Sequence, residues 1–135
     1  MKIMNVESAI HDQIAGAGLH PNVSTLYTYD DTIYNPKGVA ISAQLLRHEA
    51  VHYEQQSNDP DAWWGRYLID PYFRIDQECE AYASEYAFYC KNHKDRNHRD
   101  KVLRQMAGFL SGELYGNVIS SQAARKMIKA KSNVR

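Results

Sequence analysis

The chain predicts an α+β fold, mostly helical, in one compact domain over residues 1–135, with a small β-hairpin or sheet ahead of its central helix. Three observations carry this reading. Apolar residues recur along most of the chain at three- and four-residue spacing, the pattern of helices with one buried face. A single stretch, 25–36, alternates its side chains as a strand does. A length of 135 residues suffices for one hydrophobic core and is too short for two.

Taken in order, Val6, Ala9, Ile10 and Ile14 repeat at helical spacing, and Gly16 and Gly18 end that first helix. The hairpin spans roughly 24–34 and turns at Asp30-Asp31; Asn35-Pro36-Lys37-Gly38 then redirects the chain. A helix over about 42–56 follows, with Ser42 as its N-cap. Leu45, Leu46, Ala50 and Val51 are its packing positions, and Arg47, Glu54, Gln55 and Gln56 its polar ones. Ser57-Asn58-Asp59-Pro60 reads as a loop whose proline opens a short helix carrying Trp63, Trp64, Tyr67 and Leu68, and Asp70-Pro71 breaks that helix. From about 76 to 91, Ala81, Tyr82, Glu85, Tyr86, Phe88 and Tyr89 set aromatics on the broad stripe of another helix. Val102, Leu103, Met106 and Leu110 mark a further segment, and Ser120 or Ser121 caps a last one containing Ala124, Met127 and Ile128.

Inside the predicted 42–56 helix stand His48-Glu49-Ala50-Val51-His52. Two histidines four apart share one helix face and can grip one metal ion, with the glutamate beside the first of them placed to handle water. The plain alternative is a helix with two satisfied or solvent-facing histidines. A catalytic zinc takes three protein ligands and leaves one position open, so a third ligand is needed from another element. The stretch 76–82, Asp-Gln-Glu-Cys-Glu-Ala-Tyr, offers Glu78 and Glu80. They lie about 200° apart around a helix, so at most one of them faces the ion.

HExxH followed some tens of residues later by Glu78-Cys79-Glu80-Ala81-Tyr82 resembles the gluzincin zinc peptidases. The block 24–86, with Trp63-Trp64 and Tyr67-Leu68 between the two motif helices, is similar to the compact one-domain minigluzincins, including those of phage and prophage genomes. The resemblance implies a zincin-like fold and one zinc ion per chain, held by His48, His52 and Glu78, with Glu80 on the other helix face. It further implies a metallopeptidase in which Glu49 is the general base for hydrolysis of a peptide bond by metal-activated water. The hairpin's edge strand would hold the substrate by strand addition. One departure is Tyr82, where many gluzincins carry an aspartate that orients a zinc-binding histidine. Tyr67, Tyr72, Tyr82 and Tyr115 are the phenols available to a developing oxyanion, Tyr115 because 114–117 precedes the last helix and can return over the cleft. The alternative is a non-catalytic, zinc-stabilised peptide-binding module of the same fold.

The remaining features set the frame. Lys plus Arg equals Asp plus Glu at 16 each, so the formal charge is zero and no whole-chain pull toward nucleic acid or membrane is expected. The basic runs 91–104 and 125–135 read as solvated helix faces, and His93 and His98 as parts of a polar connection. His11 reads as a helix-surface residue, His20 as a pre-proline loop residue, and the two tryptophans as cleft or core. Cys79 and Cys90 fall in one predicted helix, about 16 Å apart along its axis and beyond disulfide reach. Free thiols suit a reducing cytoplasm, and no apolar run marks a signal peptide or membrane span. The expectation is a cytoplasmic monomer, in a host cell if phage-encoded, whose partner is a peptide or protein substrate.

Overall fold

The structure, a computed structural model, describes residues 1–8, 10–22 and 24–135. In chain order they form strand β1 (Lys2–Met4), helix α1 (Ile10–Gly16), strands β2 (Tyr27–Tyr29) and β3 (Thr32–Tyr34), and helices α2 (Ala43–Gln56), α3 (Pro60–Ile69), α4 (Pro71–Asn92) and α5 (Arg96–Leu110). A 3-10 turn (Glu113–Tyr115) and helix α6 (Ser121–Ser132) complete the chain. The α+β, mostly helical class is the one the sequence predicts.

The hairpin forms because Asp30 accepts a left-handed conformation, φ 53°, in a two-residue turn that pairs Tyr29 with Thr32, Thr28 with Ile33 and Tyr27 with Tyr34. A third strand joins it: β1 runs parallel to β3, pairing Ile3 with Ile33, and gives the sheet order β1-β3-β2. Three residues carry too little alternation for a strand signal, so β1 is absent from the sequence reading. Val6, expected in the first helix, lies before α1 and is about half exposed. Ala9, also expected there, lies outside the described residues.

Caps set the helix boundaries. Ser42 accepts from the Leu45 amide at the start of α2, and Ser120 accepts from the Ala123 amide at the start of α6. Asp70 serves two helices at once: its amide donates to the Arg66 carbonyl at the end of α3, and its carboxylate accepts from the Tyr72 and Phe73 amides at the start of α4. Asp70-Pro71 thus ends one helix and opens the next without a connecting loop, and α4 begins at Pro71 rather than near Asp76. Asp95 likewise accepts from the Asn97 and His98 amides, which places His98 and Arg99 in the first turn of α5 rather than in a connection.

Helix α4 is the centre of the molecule, packed against α2, α3, α5 and α6. Its Ile75, Cys79, Tyr86 and Cys90 join Leu103 and Leu110 of α5 and Ala124 and Ile128 of α6 in the core. Leu103, Leu110 and Ile128 are fully buried, each worth roughly 1.5–3 kcal/mol of transfer free energy. Both cysteines are buried and unpaired. No helix among the described residues is long and apolar enough to cross a membrane.

Helix α2 departs from its expected orientation. Its buried residues are His48, Glu49, His52 and Gln56, all polar, while Leu46 stays 40 % exposed and Leu45, Ala50 and Val51 are half-buried. Gln56, one of the polar positions, is 2 % exposed. A helix that turns its hydrogen-bonding side chains inward needs partners for every one of them.

Candidate metal centre

Those partners come from α4, α3 and β2. His48 and His52, one turn apart on α2, direct their Nε2 atoms at the same Glu78 oxygen of α4, at 3.2 and 3.1 Å. The three donor atoms lie within 4.8 Å of one another, and all three side chains are buried. Glu80 faces solvent instead, as the 200° separation requires.

The outer ring nitrogens fix the tautomers. His48 Nδ1 faces Glu85 Oε1 at 2.9 Å, so it carries the proton. His52 Nδ1 faces Gln55 Oε1 at 2.9 Å, and the same amide donates through Nε2 to the Gln77 carbonyl, so its oxygen must accept. Each histidine is thereby oriented with Nε2 toward the centre. Glu78 is held on its other oxygen by the Tyr67 hydroxyl at 2.7 Å. Burial argues for a neutral Glu78, but the charge on His52 and the hydrogen bonds from both histidines hold its carboxyl well below the usual range. For His48 burial acts to lower the pKa, yet its hydrogen bonds to Glu78 and Glu85 push it up to about 10.

This donor set fits a divalent cation. In a tetrahedral zinc site with bonds of about 2.0–2.2 Å, neighbouring ligand atoms sit about 3.4 Å apart, close to the spacing of the two Nε2 atoms from the shared Glu78 oxygen. A doubly charged ion would also replace the two imidazolium protons without changing the local charge. Cys79, although next to Glu78, is turned into the core, and burial raises its thiol.

Glu49 stands beside the triad, with Oε2 3.8 Å from His48 Nε2 and Oε1 accepting from the Thr28 hydroxyl at 3.1 Å. Its burial, opposed by the neighbouring histidines, raises its pKa. The backbone of β2 is also engaged: the Thr28 carbonyl accepts from Gln56 Nε2 at 2.8 Å and Trp64 Nε1 at 3.1 Å. At this residue the edge that strand addition would use is occupied by α2 and α3 side chains.

Of the four phenols, Tyr67 is committed to Glu78 and Tyr72 is 78 % exposed. Tyr82 and Tyr115 hydrogen-bond to each other at 2.9 Å, with the Tyr82 ring packed edge-on against His48. Arg74 fixes Tyr115 from below, donating to its carbonyl and to those of Tyr67 and Leu68. Gly116 follows at φ 96°, and a Cβ there would lie 3.2 Å from Arg74 Nη1. Trp63 and Trp64 are both core residues that back the site, Trp63 against the His52 ring.

Two spaces meet the site. A cavity of about 50 Å³ lies between it, Ile14, Leu19 and the tryptophans. An open cleft of about 410 Å³ runs from His48, Glu49, Tyr82 and Tyr115 between the start of α2 and the Val102, Met106 and Phe109 face of α5.

Sequence reasoning left the orienting groups unassigned. Glu85 was legible in principle, since it lies seven residues after Glu78 and shares its helix face; Gln55 lies three after His52 in the same way. Thr28 and Tyr67 reach the site through tertiary contacts for which no local spacing exists. The class defined by fold and site is an α+β, mostly helical protein with a buried His-His-Glu cluster able to hold a metal ion. No protein-family model, no curated protein and no solved structure matches this chain.

Proposed function

We propose that this chain is a zinc-dependent peptidase of gluzincin type, with His48, His52 and Glu78 as the metal ligands and Glu49 as the general base. The observation that carries the reading is the convergence of two Nε2 atoms and one carboxylate oxygen beside a fourth, separately held carboxylate, at the end of an open cleft. Zinc bound there would supply a Lewis acid for the scissile carbonyl and a water nucleophile near neutral pH.

The chain's own groups do the rest. Thr28 anchors one Glu49 oxygen and leaves the other turned toward the triad, where it takes the water's proton and passes it to the leaving amine. A raised pKa suits a group that must accept and then release a proton near neutrality. Tyr82 and Tyr115, kept protonated by burial, supply the phenol donor for the developing oxyanion. Glu85 takes the place of the aspartate that Tyr82 displaces, orienting His48 from a little under one turn further along α4. Tyr67 holds one Glu78 oxygen, which would leave the other to hold the ion.

A second reading, a zinc-stabilised peptide-binding module, is favoured by the burial of the site, where His48, Glu49, His52 and Glu78 are each 5 % exposed or less. One comparison separates them. Glu49→Gln should keep about one zinc per chain while peptide hydrolysis falls at least about 100-fold, and Glu78→Ala should lose the metal that Glu80→Ala keeps. Unchanged turnover in Glu49→Gln would overturn the peptidase; full metal content with no cleavage of a broad peptide library by wild type would favour the module.

A further inference from the structure

The zero net charge is a sum of opposites. Residues 1–90 contain five Lys or Arg against thirteen Asp or Glu, and residues 91–135 contain eleven against three, a formal −8 beside a formal +8. The fold gathers the basic part on one face. Lys94, Arg96 and Arg99 at the start of α5 meet Arg125 and Lys129 of α6 and Arg135 around a groove of about 530 Å³, with Asp100 as its one acidic lining residue. Asp100 is already paired with Arg125 and, at 3.1 Å, with Arg104. Arg99 donates only to the Cys90 and His93 carbonyls. Among the described residues Lys94, Arg96, Arg99, Lys129 and Arg135 form no ion pair. Crowded like charges without partners repel one another, and a polyanion in the groove would relieve that repulsion.

We infer that the α5–α6 groove binds the phosphodiester backbone of a nucleic acid, independently of the metal centre. Helix α5 separates the two sites: Val102, Met106 and Phe109 line the metal-centre cleft, whereas Arg96, Arg99 and Leu103 line the basic groove. The field extends past a small ligand, because Lys91 at the end of α4, Lys101 and Arg104 of α5, and Lys126 and Lys131 of α6 are also exposed. The groove is concave and its apolar lining, Tyr86 and Leu103, is buried, so it offers no apolar face to insert into a bilayer. It presents no exposed aromatic platform for bases either, so recognition is of phosphates and not of sequence.

The test is fluorescence anisotropy of the full chain with a labelled 20-base-pair duplex of mixed sequence, from 50 to 200 mM NaCl, with and without chelator. Binding should be indifferent to chelator and to sequence, and should weaken with salt at a log–log slope of about −4.5 if the five cations without an acidic partner each neutralise one phosphate. The Arg96→Glu/Lys129→Glu double variant should bind at least about tenfold more weakly with an unchanged melting curve, while Lys37→Glu, exposed outside the groove, should bind as wild type. No duplex binding at 50 mM NaCl overturns the inference. So does equal loss in both variants, or tighter binding to phosphatidylserine vesicles or to polyglutamate than to the duplex.

Discussion

His48 sits between two carboxylates, Glu78 at 3.2 Å on one ring nitrogen and Glu85 at 2.9 Å on the other. Burial opposes its charge, but these acceptors raise its pKa from an ordinary 6.5 to about 10 in the metal-free protein, and His52 shifts the same way. An imidazolium held like this stabilises the fold in full below pH 6.5, and that contribution is lost as pH climbs to about 10, because the unfolded chain releases its proton first. Glu49, raised by burial, acts in the same direction, since its folded form binds a proton that the unfolded form has lost. Glu78, depressed, stays ionised across that window and adds no slope. The metal-free melting temperature should therefore fall from pH 6.5 to 9. Zinc needs both Nε2 atoms deprotonated, so the gap between zinc-loaded and chelated protein should widen over the same range. Melts at half-unit pH steps check this, and a constant gap would contradict it. At this scale much was legible: HEAVH stands at a readable spacing and the family resemblance singled out Glu78 over Glu80, whereas Thr28 is brought to Glu49 from 21 residues away by the fold alone.

Among the elements, α2 decides the site because it carries three of its four carboxylate and imidazole groups, and Ser42 is the residue that starts it. Ser42→Ala should cost about 0.5–2 kcal/mol in urea unfolding, with the metal content of the folded protein unchanged; an unaltered midpoint would show the cap to be idle. The sequence signals for caps and prolines placed α2, α3 and α6 well. They located the Asp70-Pro71 break yet missed that the same aspartate caps α4, an N-cap and first-turn proline signature lying inside what reads as a breaker. The apolar packing positions of α2 bury less than periodicity suggests, Leu46 staying exposed and Leu45, Ala50 and Val51 half-buried, because a cluster of hydrogen-bonded polar groups claims the interior. Strand β1 escaped notice because its partner β3 lies about thirty residues on and supplies all of its pairing.

Over the whole molecule, charge and burial are both partitioned. The basic runs 91–104 and 125–135 were visible as runs, but only the packing of α5 on α6 makes them one surface. The metal centre belongs to the acidic part, and its four groups are each 5 % exposed or less. Water and substrate reach the centre along the open cleft past His48 and Glu49, whereas release of a bound ion requires its own ligands on α2 and α4 to part, a local opening with its own free energy and rate. Release of zinc to a chromogenic chelator should be first order, flat over a tenfold rise in chelator and steep in temperature, as unfolding rates are; release proportional to chelator would mean that the ion is reached directly. A centre whose ligands hold the ion from two packed helices works as a one-way pocket for the metal on short timescales. Once filled, it keeps its contents through intervals of metal scarcity by slow escape rather than tight affinity, so the history of the molecule and not the metal around it sets how much it carries.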